Sequence, residues 1–183
     1  MKKNIFRLPL LFVAAIWLVY VIDILLPVDL RMYGIVPRSA KSLPGILFAT
    51  FLHANLYHIV SNTVPLFFLL LFLSVFYRDK SFDVIAIIMT GGGLLLWLTG
   101  RPSVHVGASM LIYGLAVFLI LYGIFLRKII PILLSLLVIG MYGSVLLTGI
   151  LPINPFVSWE GHCCGGIAGA VAAWLVHKLE PET

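Results

Sequence analysis

The stretch Val106-Gly107-Ala108-Ser109-Met110-Leu111-Ile112-Tyr113-Gly114 opens an apolar run that continues to Leu126. A second stretch, Ser158-Trp159-Glu160-Gly161-His162-Cys163-Cys164-Gly165-Gly166, opens another that continues to Val176. Each places a reactive polar group, the Ser109 hydroxyl or the His162 imidazole, at the start of a segment that otherwise avoids water. Such groups cost free energy in an apolar helix unless they are partnered. A serine and a histidine able to meet in this setting suggest a nucleophile and its base.

Composition extends the reading to the whole chain. Its 183 residues are 62% hydrophobic and 10% charged, with a mean hydropathy of +1.14. This excludes a water-soluble domain and leaves no room for a sizeable soluble one, so the expectation is an all-α, polytopic membrane protein, one domain over residues 1–183. The net charge of +5 is assigned to span ends and the bilayer surface, not to nucleic acid. Six spans are expected, at about 8–26, 56–77, 84–99, 109–126, 129–151 and 162–176. The third and sixth are short against the ~20 residues of a full crossing. Met1-Lys2-Lys3-Asn4 before an apolar run resembles a signal peptide, but the run is long and no small-residue cleavage pattern follows, so a retained first span is expected.

Basic residues orient the spans. With the N-terminus inside, Lys2, Lys3, Arg7, Arg78, Lys80, Arg127, Lys128 and Lys178 share the cytoplasmic side, against Arg31, Arg38, Lys41 and Arg101 outside. This asymmetry puts both termini in the cytoplasm. The parity then gathers His53, His58, His105, Ser109 and His162 at the outer face, while His177 lies at the opposite end. His58 and Asn62 are four residues apart and share a helix face, one turn deeper in the second span. The same spacing puts Tyr113 one turn below Ser109.

Three separated segments now carry a resemblance: His53-Ala54-Asn55-Leu56-Tyr57-His58-Ile59-Val60-Ser61-Asn62, then Gly107-Ala108-Ser109 with Tyr113, then Gly161-His162 with Gly165 and Gly169. In order, spacing and span parity they resemble the rhomboid intramembrane serine proteases in their minimal six-span bacterial form. The resemblance implies Ser109 as nucleophile and His162 as general base. It implies His58 and Asn62 as side-chain donors of an oxyanion hole, with Gly107 and Tyr113 in support and His53 as a structural histidine at the outer mouth. The implied substrates are transmembrane segments of other proteins, cut near the outer face, with no cofactor or metal; the basic start and the lack of a cytosolic domain suggest a bacterial inner membrane.

The residues sharpen this expectation. None of the seven acidic residues falls inside spans two, four or six, and Glu160 is two residues from His162, on a different helix face. A dyad without a carboxylate is therefore expected, its imidazole oriented by packing. Gly161, Gly165 and Gly169, with Ala173, form a small-residue stripe that lets spans four and six approach closely. Cys163 and Cys164 are adjacent and point to different faces, so neither a shared metal nor a mutual disulfide is expected. The segment 152–159 lies over the entrance by topology and is read as a mobile cap with Phe156 as its apolar plug. The sequence departs from the family at Met110, where glycine usually follows the serine. It also lacks the Trp-Arg pair common in the first outer loop, which leaves Arg31, Arg38 and Lys41 to anchor that loop. Two other readings remain open: a silent relative that binds transmembrane segments without cutting them, and a small transporter.

Overall fold

A computed structural model describes residues 4–179. The helices are α1 (Arg7–Leu25), the one-turn α2 (Gly45–Phe48), α3 (Leu56–Phe76), α4 (Ser81–Ile87), α5 (Gly93–Thr99), α6 (Ser109–Phe125), α7 (Ile129–Gly149) and α8 (Trp159–Lys178). Among the described residues there is no strand, only one isolated bridge between Ile35 and His105.

A π-helical segment, Ile88–Gly92, joins α4 to α5. Helical turns begin at Arg78, ahead of the expected start near residue 84, so the continuous unit Arg78–Thr99 has 22 residues and the expectation of a short third span is corrected. The π segment takes in Gly91 and Gly92 and passes into α5 at Gly93. The sixth span is likewise longer than the expected 162–176: α8 has 20 residues, because the Ser158 hydroxyl accepts the Gly161 N–H and starts the helix earlier.

Four helical units, Arg7–Leu25, Leu56–Phe76, Arg78–Thr99 and Ile129–Gly149, are long and apolar enough to cross a membrane. The exterior is apolar as well: Leu18, Leu25, Leu136 and Val145 are all exposed. Water would not tolerate such a surface, whereas lipid does. The chain is an integral, polytopic, helical membrane protein.

Packing centres on α6, which is buried along most of its length. Phe118 and Tyr122 are fully buried and stack at 5.1 Å. The most extensive interface is α6 with α8. A Cβ at Gly165 would overlap the Met110 carbonyl, and one at Gly169 the Gly114 carbonyl. The backbones are thus as close as the small-residue stripe anticipates. On the other flank, α1 leans on α3, where the Trp17 Nε1–H donates to Thr63 at 3.0 Å.

The segment between α1 and α3 is a string of short helical turns, and Arg38 anchors it. Its guanidinium donates to the Leu98 and Gly100 carbonyls at 3.1 and 2.9 Å. In return, the Trp97 Nε1–H donates to the Ser39 carbonyl at 2.9 Å. Arg31 pairs with Asp29 at 2.7 Å and also donates to the Ala54 carbonyl at 3.4 Å, and Lys41 is exposed.

Candidate active site

The N-terminal ends of α3, α6 and α8 converge at one end of the bundle. Asn55 caps α3, its side chain accepting the His58 N–H at 2.9 Å, and this sets His58 and Asn62 one turn apart on the inner face. Opposite them, Gly107 has φ +113°, a conformation that L side chains rarely adopt. Its Cα faces the two side chains directly: a Cβ there would stand 2.6 Å from His58 Nε2 and 3.5 Å from Asn62 Nδ2. Asn62 is 5% exposed, and its Nδ2 has no hydrogen-bond partner among the described residues. A buried, unused N–H donor therefore sits beside the backbone turn that leads into Ser109.

Ser109 is the first residue of α6. It shares the wall of a small cavity of about 20 Å³ with Gly107, Met110, His105, Thr50, Ser158 and Gly161. That is space for about one water molecule. The buried Thr50 hydroxyl on this wall has no partner among the described residues.

His162 is held from two directions. Its ring stacks on Tyr113, with centroids 4.1 Å apart and planes 3° from parallel. Its Nδ1 lies 2.7 Å from the Gly149 carbonyl oxygen. A carbonyl only accepts, so Nδ1 carries the proton, and in the neutral ring the Nε2 lone pair is free. Tyr113 is fixed in turn by donating its hydroxyl to the Val145 carbonyl at 2.7 Å. A Cβ at Gly149 would collide with the Tyr113 hydroxyl, so glycine is required where α7 ends. No hydrogen bond joins the Ser109 hydroxyl to His162 among the described residues. Such contacts often tighten only when substrate is bound.

The acidic residue nearest in sequence serves another group. Glu160 is 8% exposed and lies 3.4 Å from Arg101 Nε. The same arginine donates to the Pro155 and Val157 carbonyls at 2.9 and 2.7 Å. It thus clamps the segment that leads into α8. His105 adds a second tie: the Ser158 hydroxyl donates to its Nδ1 at 2.6 Å, and its Nε2–H donates to the Arg101 carbonyl at 3.1 Å. Backbone bonds in both directions join His105 to Ile35. His53 packs edge-on to His58 at 5.1 Å. Burial, with His58 beside it, pushes the His53 imidazole down to about 4. Burial lowers His105 as well.

One expectation is corrected here. Phe156 is 95% exposed, so its ring is seated in nothing and does not plug the bundle. The cause is local: Arg101 holds the flanking carbonyls and leaves Phe156 at the apex of the turn. Sequence reading overlooked Arg101, Gly149 and Ser158. The only signal available was the polarity of Arg101 and Ser158 between apolar stretches; a carbonyl acceptor such as that of Gly149 leaves no trace in sequence.

Met110 is buried at 6% exposure, and two glycines make room for it. Its Sδ would lie 3.4 Å from a Cβ at Gly92, and its Cγ 3.1 Å from one at Gly165.

A helical membrane bundle that converges a serine, two histidines and an asparagine on one end defines the class. Comparison with known proteins names the family: the profile described as Rhomboid domain matches residues 40–179. The chain belongs to the rhomboid family. An uncharacterized protein of Mycobacterium tuberculosis is 40% identical over 180 residues, covering 93% of this chain and 75% of that protein. An uncharacterized protein of Mycobacterium leprae is 38% identical over 183 residues, covering 95% of this chain and 72% of its own length.

Proposed function

We propose that the protein is an intramembrane serine endopeptidase that cleaves transmembrane segments of other membrane proteins. In this reading all six helical units cross the bilayer, both termini are cytoplasmic, and the reactive end opens at the outer face of a bacterial inner membrane. The observation that carries the proposal is the way His162 is held. Tyr113 fixes the plane of its ring and Gly149 fixes its proton on Nδ1, which leaves Nε2 available as a base without a carboxylate.

The chemistry follows from these groups. The Ser109 oxygen attacks the scissile carbonyl carbon while His162 Nε2 takes the hydroxyl proton. The carbonyl π electrons move to oxygen, and the oxyanion is met by Asn62 Nδ2–H, His58 and the Ser109 N–H. Collapse of the tetrahedral intermediate breaks the C–N bond, and His162 returns its proton to the leaving amine. Water then attacks the acyl-enzyme with the same base. The small cavity beside Ser109, with the unused Thr50 hydroxyl on its wall, suits that water in size and polarity. A helical peptide bond is shielded by its own hydrogen bonds, so segments weakened by Gly, Pro or polar residues near the outer boundary are the favoured substrates. In this reading the segment 152–159 lies over this end of the bundle, and access to the dyad comes from its movement.

The test is covalent labelling of the purified, full-length protein with a fluorophosphonate. The wild type should label. Ser109→Ala should not, and His162→Ala should label at least a hundredfold more slowly. Phe156→Ala should label at least as fast as the wild type. An unlabelled wild type that is folded in lipid sinks the protease reading and leaves a silent binder of transmembrane segments.

A further inference from the structure

Away from the candidate active site, a cleft of about 660 Å³ opens between α1 and the α4 side of the third helical unit. That is the volume of a typical small-molecule site. Its walls are apolar: Leu11 and Phe12 of α1 face Ile85 and Met89. Leu47 of the outer loop also borders it. Along the third unit the lining runs from Arg78 to Thr90, about 18 Å at the helical rise of 1.5 Å per residue. That is more than half of the ~30 Å hydrocarbon thickness.

One end is different. Arg7, at the start of α1, and Arg78, just after α3, both line it. Neither makes an ion pair among the described residues, and no carboxylate lines the cleft. Ser74 lines the same end, 5% exposed, with an Oγ that has no hydrogen-bond partner among the described residues. Two guanidiniums and a buried, unused hydroxyl at one end of a long apolar cleft match the two halves of one molecule. The guanidiniums suit a phosphodiester, and the walls suit an acyl chain. Basic pockets between helices on the cytoplasmic side of a membrane are where anionic headgroups are held.

We propose that this cleft is a binding site for one anionic phospholipid of the cytoplasmic leaflet, with its phosphate between Arg7 and Arg78 and an acyl chain between α1 and α4. The site is independent of the protease reading and stands or falls without it. The bound chain fills the space between the α1 and α4 residues that line the cleft.

Native mass spectrometry of the delipidated full chain tests this, with phosphatidylglycerol and phosphatidylcholine of identical acyl chains as probes. One phosphatidylglycerol per chain should be retained at least tenfold better than phosphatidylcholine. Each arginine near an anionic surface is worth about fivefold, so the Arg7→Gln/Arg78→Gln double variant should lose about 25-fold toward phosphatidylglycerol. Ala86 also lines the apolar part of the cleft, so Ala86→Trp narrows it and should weaken both lipids with the charges intact. Arg127→Gln/Lys128→Gln removes cytoplasmic charge elsewhere and should keep the preference. Equal retention of the two lipids, a preference that survives the double arginine variant, or displacement of phosphatidylglycerol by millimolar inorganic phosphate would each overturn the assignment.

Discussion

At the scale of single residues, the candidate site depends on groups whose neighbours leave one function open. His162 spends Nδ1 on Gly149 and keeps Nε2; Asn62 keeps its Nδ2. Gly107 makes the approach possible, and any side chain there meets both backbone strain and the His58 ring. Gly107→Ala should therefore lower the fluorophosphonate labelling rate at least tenfold, through a left-handed backbone cost of about 1–2 kcal/mol and displacement of His58. Asn62→Ala leaves the backbone alone and should reduce turnover of a transmembrane substrate about a hundredfold to a thousandfold, the usual worth of one oxyanion donor. Undiminished turnover by Asn62→Ala would remove Asn62 from the proposed oxyanion hole. Ser109, His162, His58 and Asn62 could be picked out as candidates because polar side chains stand out in apolar runs. The Gly149 carbonyl and the Arg101 clamp were not, because both are long-range pairings that no local pattern encodes.

At the scale of elements, the close approach of α6 and α8 positions the site. It depends on which face of α8 carries each glycine. A Cβ at Gly165 overlaps the Met110 carbonyl, whereas one at Gly166 makes only an ordinary contact, 3.6 Å from Val117. Gly165→Ala should thus destabilise the protein by about 1–3 kcal/mol, the cost of overpacking a tight interface, and Gly166→Ala should change little. Chemical denaturation in mixed micelles reads the difference; equal effects would show that the helices do not meet as described. The stripe itself was readable at four-residue spacing. The third and sixth helices run longer than their apolar stretches, because helical turns begin in the mostly polar stretch 78–83 and the Ser158 cap starts α8 at Trp159.

At the scale of the whole molecule, two buried histidines, His53 and His105, sit in the loops at the end of the bundle that carries the candidate site. His53 is held near 4, against an ordinary imidazole value of 6.5, because burial disfavours its charge. His105 is shifted in the same direction by burial. Between about 4 and 6.5 the unfolded chain binds protons that the folded one refuses, so stability rises with pH across that window and is level above it. The melting temperature in detergent should therefore fall as pH is lowered from 6.5 to 4. A His53→Gln/His105→Gln variant should show a shallower fall. A wild-type profile flat across this range would contradict buried, neutral histidines.

Sequence alone determined that this chain lives in a membrane, how its helices are ordered, and which polar residues stand at the same end. Those properties follow from hydropathy, spacing and span parity, which are local along the chain. Tertiary structure alone decided how the imidazole is aimed, how Met110 fits where the family usually has glycine, and why Phe156 stands outside the bundle. Each of these depends on contacts between residues far apart in sequence: His162 with Gly149, Met110 with Gly92 and Gly165, Arg101 with the segment before α8. Such contacts exist only once the helices are packed.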